Sequence, residues 1–136
     1  MIVIDASVAN KLVLPNEPDY ALAKSILEKH ILQTEEILVL DFLFYEVANT
    51  LATKSSISSI RMVNSLTKIY AANLKIYCPA EVEVKEAAKL AKQYKTSVYD
   101  MIYAVIAKNH KIILITADEK FMKQTGFKWV KLLKDF

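Results

Sequence analysis

Four short runs limit what this chain can become: MIVI at its start, ILVL from Ile37, KIYC from Lys75 and KIILIT from Lys111. They are apolar at almost every position and not merely at every second one, so each reads as a strand covered on both faces. The segments between them show helical spacing, as in Leu22, Ile26, Leu27 and Ile31. Strands that alternate with helices and are hidden on both sides predict an α/β fold. The expected architecture is a central, mainly parallel sheet of four to five strands between two helical layers.

Helices are predicted near Val8 to Leu14, over Asp19 to Ile31, from about Phe42 to Thr53 and over Ile60 to Asn73. A long amphipathic helix follows Pro79-Ala80 and ends near Tyr94, and the stretch SVYDMIYAVIA, Ser97 to Ala107, supplies another. Pro15 and Pro18 punctuate the first turn, and SSISS breaks the pattern after Thr53. A short helix from Asp118 to Gln124 stops at Gly126, before FKWVKL forms a last edge strand.

With 136 residues, 54% of them hydrophobic, the chain has one domain's worth of core, and residues 1–136 are read as a single domain. The lone cysteine, Cys78, excludes an internal disulfide framework and reads as a small buried apolar residue in a reducing compartment. No basic leader precedes the first apolar run, and none approaches the roughly 18 residues that cross a bilayer. A soluble, cytoplasmic protein with no membrane partner is expected.

The net charge of +3 hides an asymmetry: up to Val84 there are seven basic and ten acidic residues, and after it eleven lysines and five acids. Lys85, Lys89 and Lys92 recur at helical spacing, which marks an ordinary solvated face. Arg61 is the sole arginine, so lysine point charges would supply most attraction to a nucleic-acid backbone. Gly126 is the sole glycine, which makes a phosphate-cradling loop of the P-loop or dinucleotide type very improbable.

In open α/β sheets ligands bind outside the carboxyl ends of the strands. Asp5 follows the first strand, Asp118 follows KIILIT, and Asp100 opens the helix that feeds that strand. Glu46 lies in the helix after ILVL, at the edge of an apolar face made by Leu43, Val47 and Leu51. All four acids are placed to converge on one crevice. Capping explains Asp5 and Asp118 about as well as catalysis does, and Asp100 stands three residues after Ser97, where a reciprocal cap normally uses a longer acid. Acids gathered without bases repel one another and take up protons, unless a cation compensates. Magnesium or manganese suits such hard oxygen donors, whereas His30 and His110, near predicted helix ends, have no spacing suited to zinc and read as favourable charges there.

MIVIDASV, FLFYEVANTL, SVYDMIYAVIA and LITADEKF together resemble the PIN-domain family of metal-dependent nucleases, specifically the VapC-type toxin ribonucleases of toxin–antitoxin pairs. The resemblance spans nearly the whole chain. It implies that Asp5, Glu46, Asp100 and Asp118 form an acidic site for Mg2+ or Mn2+, supported by Ser7, Asn49 and Thr116. Lys11 is the nearest basic residue. One or two such ions polarise a scissile phosphate and activate water for attack on it. The resemblance further implies an RNA substrate, a homodimer, and a cognate antitoxin laid along the acidic groove; Phe42, Phe44 and Tyr45 are apolar candidates to face that partner, with core packing the stronger reading. Two rival readings are an aspartyl-phosphate phosphatase-like hydrolase, which expects an acid where Ser7 stands, and a catalytically inactive PIN-like binding module.

Overall fold

The computed structural model describes residues 1–14 and 16–136, so the predicted turn at Pro15 lies outside the described residues. Five parallel strands form one sheet: β1 (Ile2–Ile4), β2 (Ile37–Leu40), β3 (Lys75–Tyr77), β4 (Ile113–Thr116) and β5 (Val130–Leu132), in the order β3-β2-β1-β4-β5. Around them, among the described residues, stand α1 (Ala6–Val13), α2 (Tyr20–Ile31), α3 (Leu43–Lys54), α4 (Ser59–Ala71), α5 (Glu81–Tyr94), α6 (Val98–Asn109) and α7 (Glu119–Thr125). The α/β reading therefore holds, with the fifth strand included.

Position in the sheet follows apolar content. In β1 and β2 every residue is buried, and in β4 all but Ile113 are. The edges β3 and β5 expose Lys75 and Lys131, charges that discourage a further strand from adding there. Helices cover both faces of the sheet. The α1 helix packs against α2, α3 and α4, whereas α5 and α6 pack on each other, and α1 and α6 both rest on β1 and β4. Met101 through Ala107 are buried without interruption, which explains why α6 has no polar face beyond its first turn.

Helix boundaries follow local chemistry. Ser58 caps α4 after the serine-rich break, and Gly126 ends α7 with φ 59°, a left-handed conformation that glycine adopts without a Cβ penalty. Lys85, Lys89 and Lys92 are all exposed, as a solvated face requires. Among the described residues no helix is long and apolar enough to cross a membrane.

Two expectations need correction. Cys78 is exposed, not buried, because it lies one residue past the outer strand β3, where the apolar run has already left the core. His30 is not simply a positive charge at a helix end. Its Nδ1 accepts the Ile37 N–H at 3.1 Å, which leaves the hydrogen on Nε2, 3.3 Å from the Asn73 carbonyl. The ring thus bridges the chain into β2 and the turn before β3. His110 caps the end of α6 and meets the Tyr77 ring edge-on.

Candidate active site

From β1 the chain steps to β2 on one side and β4 lies on the other, so the sheet order reverses between β1 and β4. That reversal opens a crevice outside the carboxyl ends of both strands. Asp5 leaves β1 there, and Thr116, Ala117 and Asp118 leave β4 there. The helices α3 and α6 bring in Glu46 and Asp100, each within its first turn.

Asp5 is only 6% exposed. Its Oδ1 accepts the Ser7 hydroxyl at 2.5 Å and the Val8 N–H at 3.1 Å, so it caps α1 while facing the crevice. Burial pushes its carboxyl from 3.8 up to about 6, against the pull of those hydrogen bonds, and Asp100 adds repulsion. Glu46 is pushed further, from 4.5 up to about 7, by burial first and then by the charges of Asp5 and Asp100. A single donor opposes this shift: the Tyr103 hydroxyl, 2.7 Å from Glu46 Oε2. The Tyr103 hydroxyl is itself raised, chiefly by its burial and then by the neighbouring Glu46.

Asp100 does form the reciprocal arrangement with Ser97, with a short acid. Its N–H donates to Ser97 Oγ at 3.0 Å, and that hydroxyl donates to Asp100 Oδ2 at 2.6 Å. The aspartate reaches because it meets the cap's hydroxyl, not the more distant backbone N–H that a glutamate would seek. Its own backbone position and carboxylate direction are thereby fixed together.

Asp5, Glu46 and Asp100 therefore feel one another's charge. Asp118 stands apart from that trio: its Oδ1 caps α7 by accepting the Phe121 N–H at 2.9 Å. It is linked to the crevice through its own N–H, which donates to Thr116 Oγ1 at 3.0 Å. Among the described residues no three acids already stand in an ion-ligating cluster, so the closely gathered set expected from the sequence is here a looser neighbourhood.

Of the supporting positions, Ser7 and Thr116 are hydrogen-bonded within the crevice, and Asn49 lines the groove beside Glu46. The Ser7 oxygen receives the Ala117 N–H at 2.7 Å and lies 3.4 Å from Thr116 Oγ1, which joins the end of β4 to Asp5. Thr116 is fully buried. Asn49 is exposed on α3, and among the described residues its side chain makes no hydrogen bond. Lys11 is turned away from the acids, with Nζ 2.8 Å from the Pro18 carbonyl and 4.0 Å from Asp19. Phe44 is buried, Phe42 half-buried and Tyr45 exposed, so the three apolar residues considered for a partner divide between core and surface.

Tyr103 had no assigned role in the sequence reading. Its signal was its place three residues after Asp100, one helical turn along the same face.

The donor chemistry fits a hard dication. The three neighbouring acids offer only oxygen, and none of the four pairs with a lysine, arginine or histidine among the described residues. Asp5, Glu46 and Asp100 are the candidates to hold it, and they would have to draw closer to share one ion.

A groove of about 580 Å³ opens beside Glu46 and is lined by Ala6, Phe42, Tyr45, Asn49, Thr50, Lys54 and Tyr99. A hollow of similar size, about 560 Å³, lies by His30, Glu36 and Asn73, at the amino ends of β2 and β3, and none of the predicted site residues lines it.

Residues 2–128 match the family model of the PIN domain. Ribonuclease VapC3 of Pyrobaculum aerophilum is 30% identical over 129 residues, covering 90% of this chain and 93% of that protein. The crystal structure of PAE2754 from Pyrobaculum aerophilum superposes with a TM-score of 0.72 at 22% identity, over 98% of this chain and 90% of that one. A toxin–antitoxin complex from Klebsiella pneumoniae gives a TM-score of 0.68 at 16% identity, over 98% of both chains. An aspartate at the tip of the first strand, a glutamate and an aspartate on two different helices, and a family match over nearly every residue lead to one conclusion: the chain belongs to the PIN-domain family.

Proposed function

We propose that this protein is a divalent-metal-dependent endoribonuclease and the toxin of a toxin–antitoxin pair. The observation that carries the reading is the trio of mutually repelling carboxylates at the β1/β4 reversal: Asp5 is buried and Glu46 half-buried, both are raised toward neutrality, and none of the three has a cationic partner among the described residues. The ribonuclease name of VapC3 and the toxin–antitoxin neighbour support the same activity and partner class.

Asp5, Glu46 and Asp100 are the ligand set for Mg2+ or Mn2+, and Asp118 is the fourth acid, its Oδ2 left over from capping α7. When bound, such an ion neutralises charge on the scissile phosphate and lowers the pKa of water. The chain's own residues do the positioning. Ser7 and the Val8 N–H fix Asp5, Ser97 fixes Asp100, and Tyr103 holds one oxygen of Glu46 while leaving the other free to accept a proton at the groove. RNA is the substrate, a cognate antitoxin covers the groove, and the protein acts as a homodimer in the cytoplasm.

An aspartyl-phosphate route fits less well. Asp5 is almost wholly covered, its Oδ1 already holds two hydrogen bonds, and the position two residues on is a serine whose hydroxyl is committed to it.

The test is cleavage of mixed RNA in Mn2+, in Mg2+ and in chelator, for the wild type and for Asp100→Asn. Cleavage is expected only with metal, and the variant is expected to lose it while unfolding at the same or higher temperature without metal. Full activity in Asp100→Asn would remove the acid from the mechanism.

A further inference from the structure

We infer that Tyr45 and Tyr99 form a stacking subsite for an unpaired nucleobase next to the scissile phosphate, an inference that rests on the ribonuclease reading above. Three tyrosines keep more than half of their surface in solvent: Tyr45 at 74%, Tyr99 at 63% and Tyr70 at 58%. Tyr70 already spends a ring face on Phe44, stacked at 4.3 Å with 14° between planes. Tyr99 meets Phe42 in a T-shaped contact at 5.8 Å and 69°, with no stacked aromatic partner among the described residues, and keeps 63% of its surface exposed. Tyr45 has no aromatic neighbour among the described residues.

Placement gives these rings a purpose. Each immediately precedes an acid of the trio, Tyr45 before Glu46 and Tyr99 before Asp100, on two different helices, and both line the same groove. Phe42 meets Tyr99 at 5.8 Å and also buried Tyr103, the donor to Glu46, at 5.4 Å. The Tyr99 ring is thus linked through Phe42 to the tyrosine that holds Glu46.

The occupant follows from the other walls. An apolar peptide laid here would cover the Glu46 carboxyl without pairing it, a costly arrangement. A nucleobase brings a flat face that an aromatic ring stacks without regard to sequence, and leaves the Glu46 carboxyl uncovered for the metal. Lys54 lines the same groove with no ion-pair partner among the described residues, which suits the backbone phosphate that accompanies a base. A volume of about 580 Å³ accommodates such a ligand.

The test measures steady-state cleavage of short single-stranded oligoribonucleotides in Mn2+, with thermal unfolding as a check on folding. Variants are Tyr45→Ala, Tyr99→Ala, Tyr45→Phe, Tyr99→Phe and, as a control outside the groove, Tyr70→Ala. Each alanine in the groove is expected to raise KM roughly 5- to 100-fold, the range of one lost base stack. The change in kcat should stay under about threefold, since binding and not the chemical step is affected. Phenylalanine, which keeps the ring, should recover most of the affinity that alanine loses, and Tyr70→Ala, outside the groove, should match the wild type. A substrate abasic beside the cleavage site should erase the difference between wild type and alanine variants. If the wild type cleaves and both alanines keep its KM, the subsite is overturned and the exposed rings belong to a protein partner. If the wild type cleaves nothing in Mn2+ or Mg2+, the ribonuclease reading falls first and takes the subsite with it.

Discussion

Glu46 and Glu83 invite comparison, because the fold treats two glutamates of the same kind in opposite ways. Both sit in the first turn of a helix, both are at least half-buried, and both receive a tyrosine hydroxyl, from Tyr103 at 2.7 Å and from Tyr77 at 3.0 Å. Glu83 has more: its Oε2 also accepts the Ala80 N–H at 2.9 Å, and Asn109 approaches Oε1 at 3.5 Å. Glu46 has the one donor and faces two further acids. Burial alone therefore does not mark a functional acid. The mark is a buried acid short of donors and surrounded by its own charge.

The strongest way to break this comparison is activity. Glu46→Gln is expected to lower metal-dependent RNA cleavage by at least roughly 100-fold, in line with the loss of a metal-site contact. Glu83→Ala should cleave at the wild-type rate per folded molecule. Equal activity losses in the two variants would make the distinction empty.

The next effect is on pH. An acid raised in the folded state gives stability that is complete below its unfolded value and is lost as pH climbs through its folded value. Asp5, from 3.8 to about 6, and Glu46, from 4.5 to about 7, thus make the metal-free protein less stable as pH rises from about 4 to about 7. Asp5 alone contributes a loss on the order of 2–3 kcal/mol over that window. Added Mn2+ should restore it near neutrality by compensating the same charges. Urea unfolding in chelator across the window checks this; stability that climbs with pH would contradict it.

Smaller still, Glu83→Ala should cost about 1–3 kcal/mol in unfolding free energy, because the Ala80 N–H and the Tyr77 hydroxyl lose their acceptor. Glu46→Gln should leave metal-free stability unchanged or raise it. The finest contrast lies in the hydroxyls. Tyr103→Phe and Tyr77→Phe each remove one donor, worth about 1 kcal/mol. Only Tyr103→Phe is expected to weaken Mn2+ binding, measured by calorimetry, since it alone leaves an acid of the site without its anchor.

Most of the fold could be read from apolar pattern, because β1, β2 and β4 are buried on both faces and their sequences show it at each position. Pattern failed where the sheet ends. The KIYC run looks like its sisters, yet β3 is an edge strand and Cys78 lies in solvent beyond it. The acids at strand ends and helix starts were visible from their positions. Which of them share a field was not, since that depends on how far α3 and α6 bring Glu46 and Asp100 toward Asp5, and on Asp118 turning its carboxylate to α7. Glu83 hid among the solvated charges of α5 because its burial is created by Tyr77 and Asn109, from elsewhere in the chain. Lys11 matched by position but its side chain turned to the Pro18 carbonyl, while Asn49 lines the groove without a hydrogen bond among the described residues.

The Ser7 hydroxyl, clasped between Asp5 and the Ala117 N–H, ties residues 110 apart in sequence. The first strand likewise finds one of its two partners only at Ile113. A chain still leaving the ribosome holds Asp5, Ser7 and Val8 from its first moments, but the end of β4 that fixes the Ser7 hydroxyl arrives only when nearly all of the protein has been made. Such distant closure slows folding, and it also means that a prematurely terminated copy emerges unarmed.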